Sequence, residues 1–112
     1  MTGSSGSEFV GQWRITEMDQ WDADYFDMEV PAHCTIREDL TGDFQFGLVQ
    51  AQIDGRIESV GSISRLAFSW EGFDENDPVH GRGWLMVSGD HAEGRIVIHL
   101  GDESGFKAER SV

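Results

Sequence analysis

The chain has 112 residues, 38% of them hydrophobic, with four Trp, seven Phe and a formal charge of −13. That length forms one domain, which buries roughly 65% of its unfolded surface and folds without staples. The charge excludes nucleic acid and anionic membranes as partners, because few cations are present to displace counterions from phosphates.

Residues 1–8, opening Met1-Thr2-Gly3-Ser4-Ser5-Gly6-Ser7, read as a flexible Gly/Ser-rich tail. They have neither the cationic start nor the apolar core of a signal peptide. Residues 9–112 are expected to form a single β-barrel domain. Fourteen Gly against two Pro favour tight turns and bulges over long helices. The lone Cys34 permits no internal disulfide, which fits a reducing, cytoplasmic setting. No apolar run reaches membrane-spanning length.

The first strand is Phe9 to Thr16, where Phe9, Trp13 and Ile15 alternate with Gln12, Arg14 and Thr16. Gly11 leaves room beside the indole for a close neighbour. In Met18 to Glu29, Trp21, Tyr25 and Met28 recur at helical spacing and predict a short helix or an aromatic-plugged turn. Pro31 breaks that pattern, and Ala32 to Arg37 reads as a strand with Cys34 and Ile36 on one side. A turn follows at Asp39-Leu40-Thr41-Gly42.

From Asp43 to about Glu58, Phe44, Phe46 and Leu48 set one phase, and Val49, Ala51, Ile53 and Ile57 the other. A bulge near Gly47 in one bent strand reconciles them and is preferred; a hairpin turn at Asp54-Gly55 is the alternative. Leu66, Phe68 and Trp70 mark the next half-buried strand, and Phe73 to Pro78 an acidic loop. Strands at about 79–88 and 93–100 flank a turn at Gly89-Asp90-His91-Ala92, which places Ser88 opposite Glu93. Val79, Leu85, Val87, Ile96, Ile98 and Leu100 then share the core face, with His80, Arg82, Trp84 and His99 on the other. Phe106, Ala108 and Arg110 point one way in the last strand. The sum is an all-β, antiparallel meander barrel of about 6–8 strands with at most one short helix.

Gly11-Gln12-Trp13 on the first strand, with Arg110 on the last, resembles the structural signature of the calycin group: lipocalins, fatty-acid-binding proteins and avidins. The resemblance implies a structural role for Gly11, Trp13 and Arg110, with Trp13 closing one barrel end and Arg110 packing across it. It also implies a small-molecule ligand. The chain lacks the disulfide cysteines of secreted lipocalins and is shorter than these families. Through Trp13 to Met18, Phe68 to Gly72 and Gly81 to Trp84 it also resembles small bacterial proteins of unassigned function.

The inward positions are rich in bulky rings and poor in polar groups, so a mostly filled barrel is expected. A ligand is then expected at the mouth, near Trp21, Tyr25 and Trp70. The second reading is a protein-interaction module that uses the face of His80, Arg82, Trp84 and His99, or its negative surface toward a basic partner. A monomer or homodimer suits either reading. No residue set argues for catalysis, and no catalytic residue or cofactor is assigned. His80 and His99 have no Cys or carboxylate at ligand spacing on their face, so a metal is not expected there. Asp22, Asp24 and Asp27, and Asp74, Glu75 and Asp77, cluster the oxygens that calcium favours. Neither cluster has the glycine or distal Glu of an EF-hand loop, and both read as solvated acidic loops.

Overall fold

Alternation of inward and outward residues marks eight strands in the computed structural model, which describes residues 6–111. They are β1 (Gly11–Met18), β2 (His33–Ile36), β3 (Thr41–Phe46), β4 (Val49–Val60), β5 (Ile63–Asp74), β6 (Asp77–Ser88), β7 (His91–Ile98) and β8 (Glu103–Ser111). Each pairs antiparallel with the next, and β8 pairs with β1 to close the barrel. One short helix, α1 (Ala23–Phe26), sits in the β1–β2 connection. Residues 1–5 of the expected tail lie outside the described residues; Gly6 to Phe9 form a turn closed by a Phe9 N–H donated to the Gly6 carbonyl at 3.0 Å.

Four hairpins turn on two residues, pairing Phe46 with Val49, Val60 with Ile63, Asp74 with Asp77 and Ser88 with His91. The first turn residue has positive φ in each: Gly47 at +56°, Gly61 at +63°, Glu75 at +59° and Gly89 at +64°. Such turns match the right-handed twist of the strands they join. This corrects the bent strand expected over 43–58. Gly47-Leu48 is a hairpin turn, which brings Phe46 and Val49 to the same side and so produces the phase change. Asp54 and Gly55 instead lie within β4, paired with Ser69 and Phe68.

The β6–β7 register is also corrected, by two residues: Leu85 faces Gly94 and Gly83 faces Ile96. A shift of two conserves the side-chain faces, so the expected core face stands. Leu100 leaves it, being 95% exposed in a turn with φ at +59°.

Glycines on the inner face make room for rings. Trp70 pairs with Gly81, Phe68 with Gly83, and Phe106 with Gly94. A Cβ at Gly81 would stand 3.0 Å from the Trp70 ring, and one at Gly83 or Gly94 only 2.7 Å from the Phe68 or Phe106 ring. Each ring covers the backbone that its glycine leaves bare. Together with Phe44, Phe46, Ile53 and Leu66, all under 4% exposed, these rings fill the bore.

One end is closed by Trp13, which is fully buried and whose indole N–H donates to the Phe9 carbonyl at 2.9 Å. The Arg110 guanidinium stacks 4.2 Å from the centre of that ring, and Trp13 and Arg110 are cross-strand partners. Trp13→Ala is expected to cost about 3–5 kcal/mol in urea unfolding; a loss under about 1 kcal/mol would show that the end closes without it. Gly83→Ala is expected to cost about 1–3 kcal/mol by overpacking. Combining it with Phe68→Leu should cost less than the sum of the two single changes, and strict additivity would refute the pairing of ring and glycine.

Candidate functional site

At the end opposite Trp13, α1 folds across the barrel mouth. Phe26 is buried, and its carbonyl accepts the Gly47 N–H at 2.9 Å. The Tyr25 ring lies directly on Gly47, where a side chain would collide with it, and its hydroxyl accepts the Leu48 N–H at 3.4 Å. Trp21 packs at a tilt against Tyr25 at 5.9 Å and Phe46 at 5.0 Å between ring centres. The series continues from Phe46 to Phe44 at 5.8 Å and from Phe44 edge-on to Trp70 at 5.1 Å. The three expected ligand residues thus belong to one aromatic chain, in different settings. Trp21 and Tyr25 are half-buried at the rim, while Trp70 is 3% exposed and donates its indole N–H to the Arg82 carbonyl at 3.2 Å. A shallow concavity of about 500 Å³ adjoins Trp21, bordered by Met18, Gln20 and Phe26.

Asp27 supports the helix from below, its carboxylate accepting the Ala32 N–H at 2.8 Å and lying 3.6 Å from Arg14. Asp22 and Asp24 are exposed. Among the described residues, no group of three or more His, Cys, Asp or Glu is placed to hold a metal ion.

The expected interaction face lies on the outside of β6 and β7. His80 and His99 stack at 4.6 Å, tilted by 24°, and the His99 N–H donates to the His80 carbonyl at 2.8 Å. Trp84 is half-buried beneath the Arg65 guanidinium, 5.1 Å from the ring centre, and Arg65 in turn donates to Glu58 at 2.6 Å. Arg82 stands exposed between Trp84 and the imidazoles with no ion-pair partner among the described residues.

Sequence reasoning missed a concavity of about 660 Å³ on the outer wall of β2 to β6. Its polar positions were legible as the outward phase of β3 and β4. Their meeting with residues of β5 and β6 needs the register of several strands, which no local pattern contains. A third concavity, of about 450 Å³, lies over Met86, His91 and Lys107 on the opposite wall.

Cys34 is buried on the inner face of β2. Burial, with a smaller push from the Asp43 carboxylate, raises its thiol from the ordinary 9.0 to about 12. It is held as a neutral packing group, not as a nucleophile.

Comparison with family models, with curated proteins and with solved structures gave no match. No described helix is long and apolar enough to cross a membrane. The chain is therefore defined by its architecture, an eight-stranded closed antiparallel barrel with a packed bore.

Native protein is expected to leave Cys34 unlabelled by Ellman's reagent near neutral pH and to titrate fully in urea; rapid native labelling would contradict its burial. Because the folded thiol keeps its proton longer than the unfolded one, its contribution to stability is complete below pH 9.0. That contribution should fall as pH rises toward about 12, and Cys34→Ala should flatten the decline.

Proposed function

We propose that the protein is a non-catalytic binding module of calycin-like build, taking a small molecule at its plugged mouth and not inside the bore. The observation that carries this reading is the half-buried Trp21. Its ring is backed by Phe46 and flanked by Tyr25, and its free edge adjoins the concavity beside α1. Small-ligand sites combine such an apolar ring with a few polar groups, here Gln20 and the backbone of the loop. A thiol nucleophile is disfavoured, because the one thiol is buried and held protonated. A cytoplasmic location suits that free thiol.

A second reading is favoured by Arg82. In a chain of charge −13, this exposed guanidinium lacks a carboxylate partner among the described residues and stands beside Trp84. Arg and Trp are the side chains that most often anchor protein interfaces. On this reading the β6 face docks a protein partner, while the acidic remainder of the surface attracts basic ones.

The four indole N–H signals separate the sites in a single NMR titration. With the neutral probe Nile red, the Trp21 signal is expected to shift saturably while those of Trp13 and Trp84 stay fixed. Trp21→Ala should weaken binding about tenfold, or ~1.4 kcal/mol. Dodecanoic acid shifting Trp13 and Trp70 one-to-one would place a ligand in the bore and overturn the reading.

A further inference from the structure

We propose that the outer wall of β2 to β6 is a binding site for a neutral oligosaccharide, separate from the mouth. Strand register builds this site. Gln45 of β3 faces Gln50 of β4, which faces Phe73 of β5. One step along the strands, Gln52 faces Glu71, which faces His80 of β6. Six side chains from four strands therefore project from one wall in two adjacent rows. The concavity over them, about 660 Å³, falls within the roughly 300–1,000 Å³ of small-molecule sites. These side chains stand on paired strands of a closed sheet, so their spacing is fixed before any ligand arrives.

The donor set selects the ligand. A glutamine amide offers two donors and an acceptor, and none of the three amides has a protein hydrogen-bond partner among the described residues. Adjacent hydroxyls of a sugar each donate and accept, so they satisfy a planar amide or carboxylate two at a time. At the end of the first row Phe73 is 54% exposed, whereas the other six Phe are at most 5% exposed. It offers a flat apolar platform for the C–H face of a pyranose. Between Glu71 and Phe73, Gly72 faces inward, and any side chain there would strike the Gln50 carbonyl. The β4 and β5 backbones thus approach closely beside Phe73.

Charge sets the ligand as neutral. At the edge of the wall Asp43 is already engaged, 3.2 Å from Arg37 and 3.8 Å from His33. Glu71 has His80 as its cross-strand neighbour. The residues lining the wall include no Lys or Arg to hold a phosphate or carboxylate, and the net charge of −13 repels anions generally.

The test is a titration of the full ¹⁵N-labelled chain with cellotriose, maltotriose and triacetylchitotriose up to millimolar concentration. At least one sugar is expected to shift the side-chain amide signals of Gln45, Gln50 and Gln52 saturably, leaving the Trp21 indole unmoved. Phe73→Ala, an exposed change that should leave the melting temperature intact, is expected to weaken that binding about tenfold or more. Gln50→Ala supplies a second variant with the same expectation. The proposal is overturned if none of the three sugars shifts those signals, or if Phe73→Ala binds as well as the parent chain. Tighter binding of adenosine or of trigalacturonic acid would also overturn it, by assigning the wall to a nucleobase or an anion.

Discussion

The contact on which the barrel depends is the stacking of Arg110 on Trp13. One face of the guanidinium lies on the indole, while its edges donate to the Val10 carbonyl at 2.8 Å and the Glu8 carbonyl at 3.1 Å. Its Nε lies 3.4 Å from the Asp90 carboxylate in the β6–β7 turn. A single side chain of β8 thus ties together the N-terminal turn, β1 and the far hairpin. A lysine, with a compact ammonium and no planar face, would lose both the stacking and the fork. Gly11 belongs to the same arrangement: its φ is +134°, and a Cβ there would stand 2.7 Å from an Arg110 nitrogen. The contact joins residues near the two ends of the chain, so it can form only as the last strand pairs with the first.

With the end closed, the contents of the bore decide where function can lie. Eight strands enclose a space that side chains can fill or that one small ligand can occupy. Here the first solution is built, through the three pairs in which a ring lies over a glycine on the neighbouring strand. These pairs are sensitive in both directions, because a larger residue at the glycine clashes and a smaller one at the ring leaves a void. An interior ligand would have to displace packed rings against that cost.

How much of this was legible follows from what each feature requires. The strands, the buried Trp13 and Ile15, and the meander order follow from period-2 alternation, which a single sequence displays directly. The closing pair was legible because Gly11, Trp13 and Arg110 fall at opposite ends of a chain whose strands pair in order. Gly47 was misread because an apolar run through Phe46, Leu48 and Val49 has no polar punctuation to announce a turn. The β6–β7 register was misplaced by two because alternation fixes which face a residue occupies, not how far the strands slide. The ring-over-glycine pairs and the row from Gln45 to Phe73 depend on that sliding across several strands, so the pattern within any one strand is silent about them.

The charge distribution gives the outer wall its character. Among the described residues, six arginines (Arg14, Arg37, Arg56, Arg65, Arg95 and Arg110) lie within 4.0 Å of a carboxylate. These pairs are largely exposed and individually add little stability. Their effect is on the field: each cancels a cation locally, so the excess of 21 acidic over eight basic residues surrounds the barrel. That field extends about 8 Å into physiological salt and discourages anions from approaching any face. Within it the amide-lined wall presents no Lys or Arg, whereas Arg82 presents a cation without a partner among the described residues. Side by side, the two regions differ physically: the wall presents hydrogen-bonding amides in fixed rows, and the Arg82 region presents an exposed guanidinium within acidic surroundings.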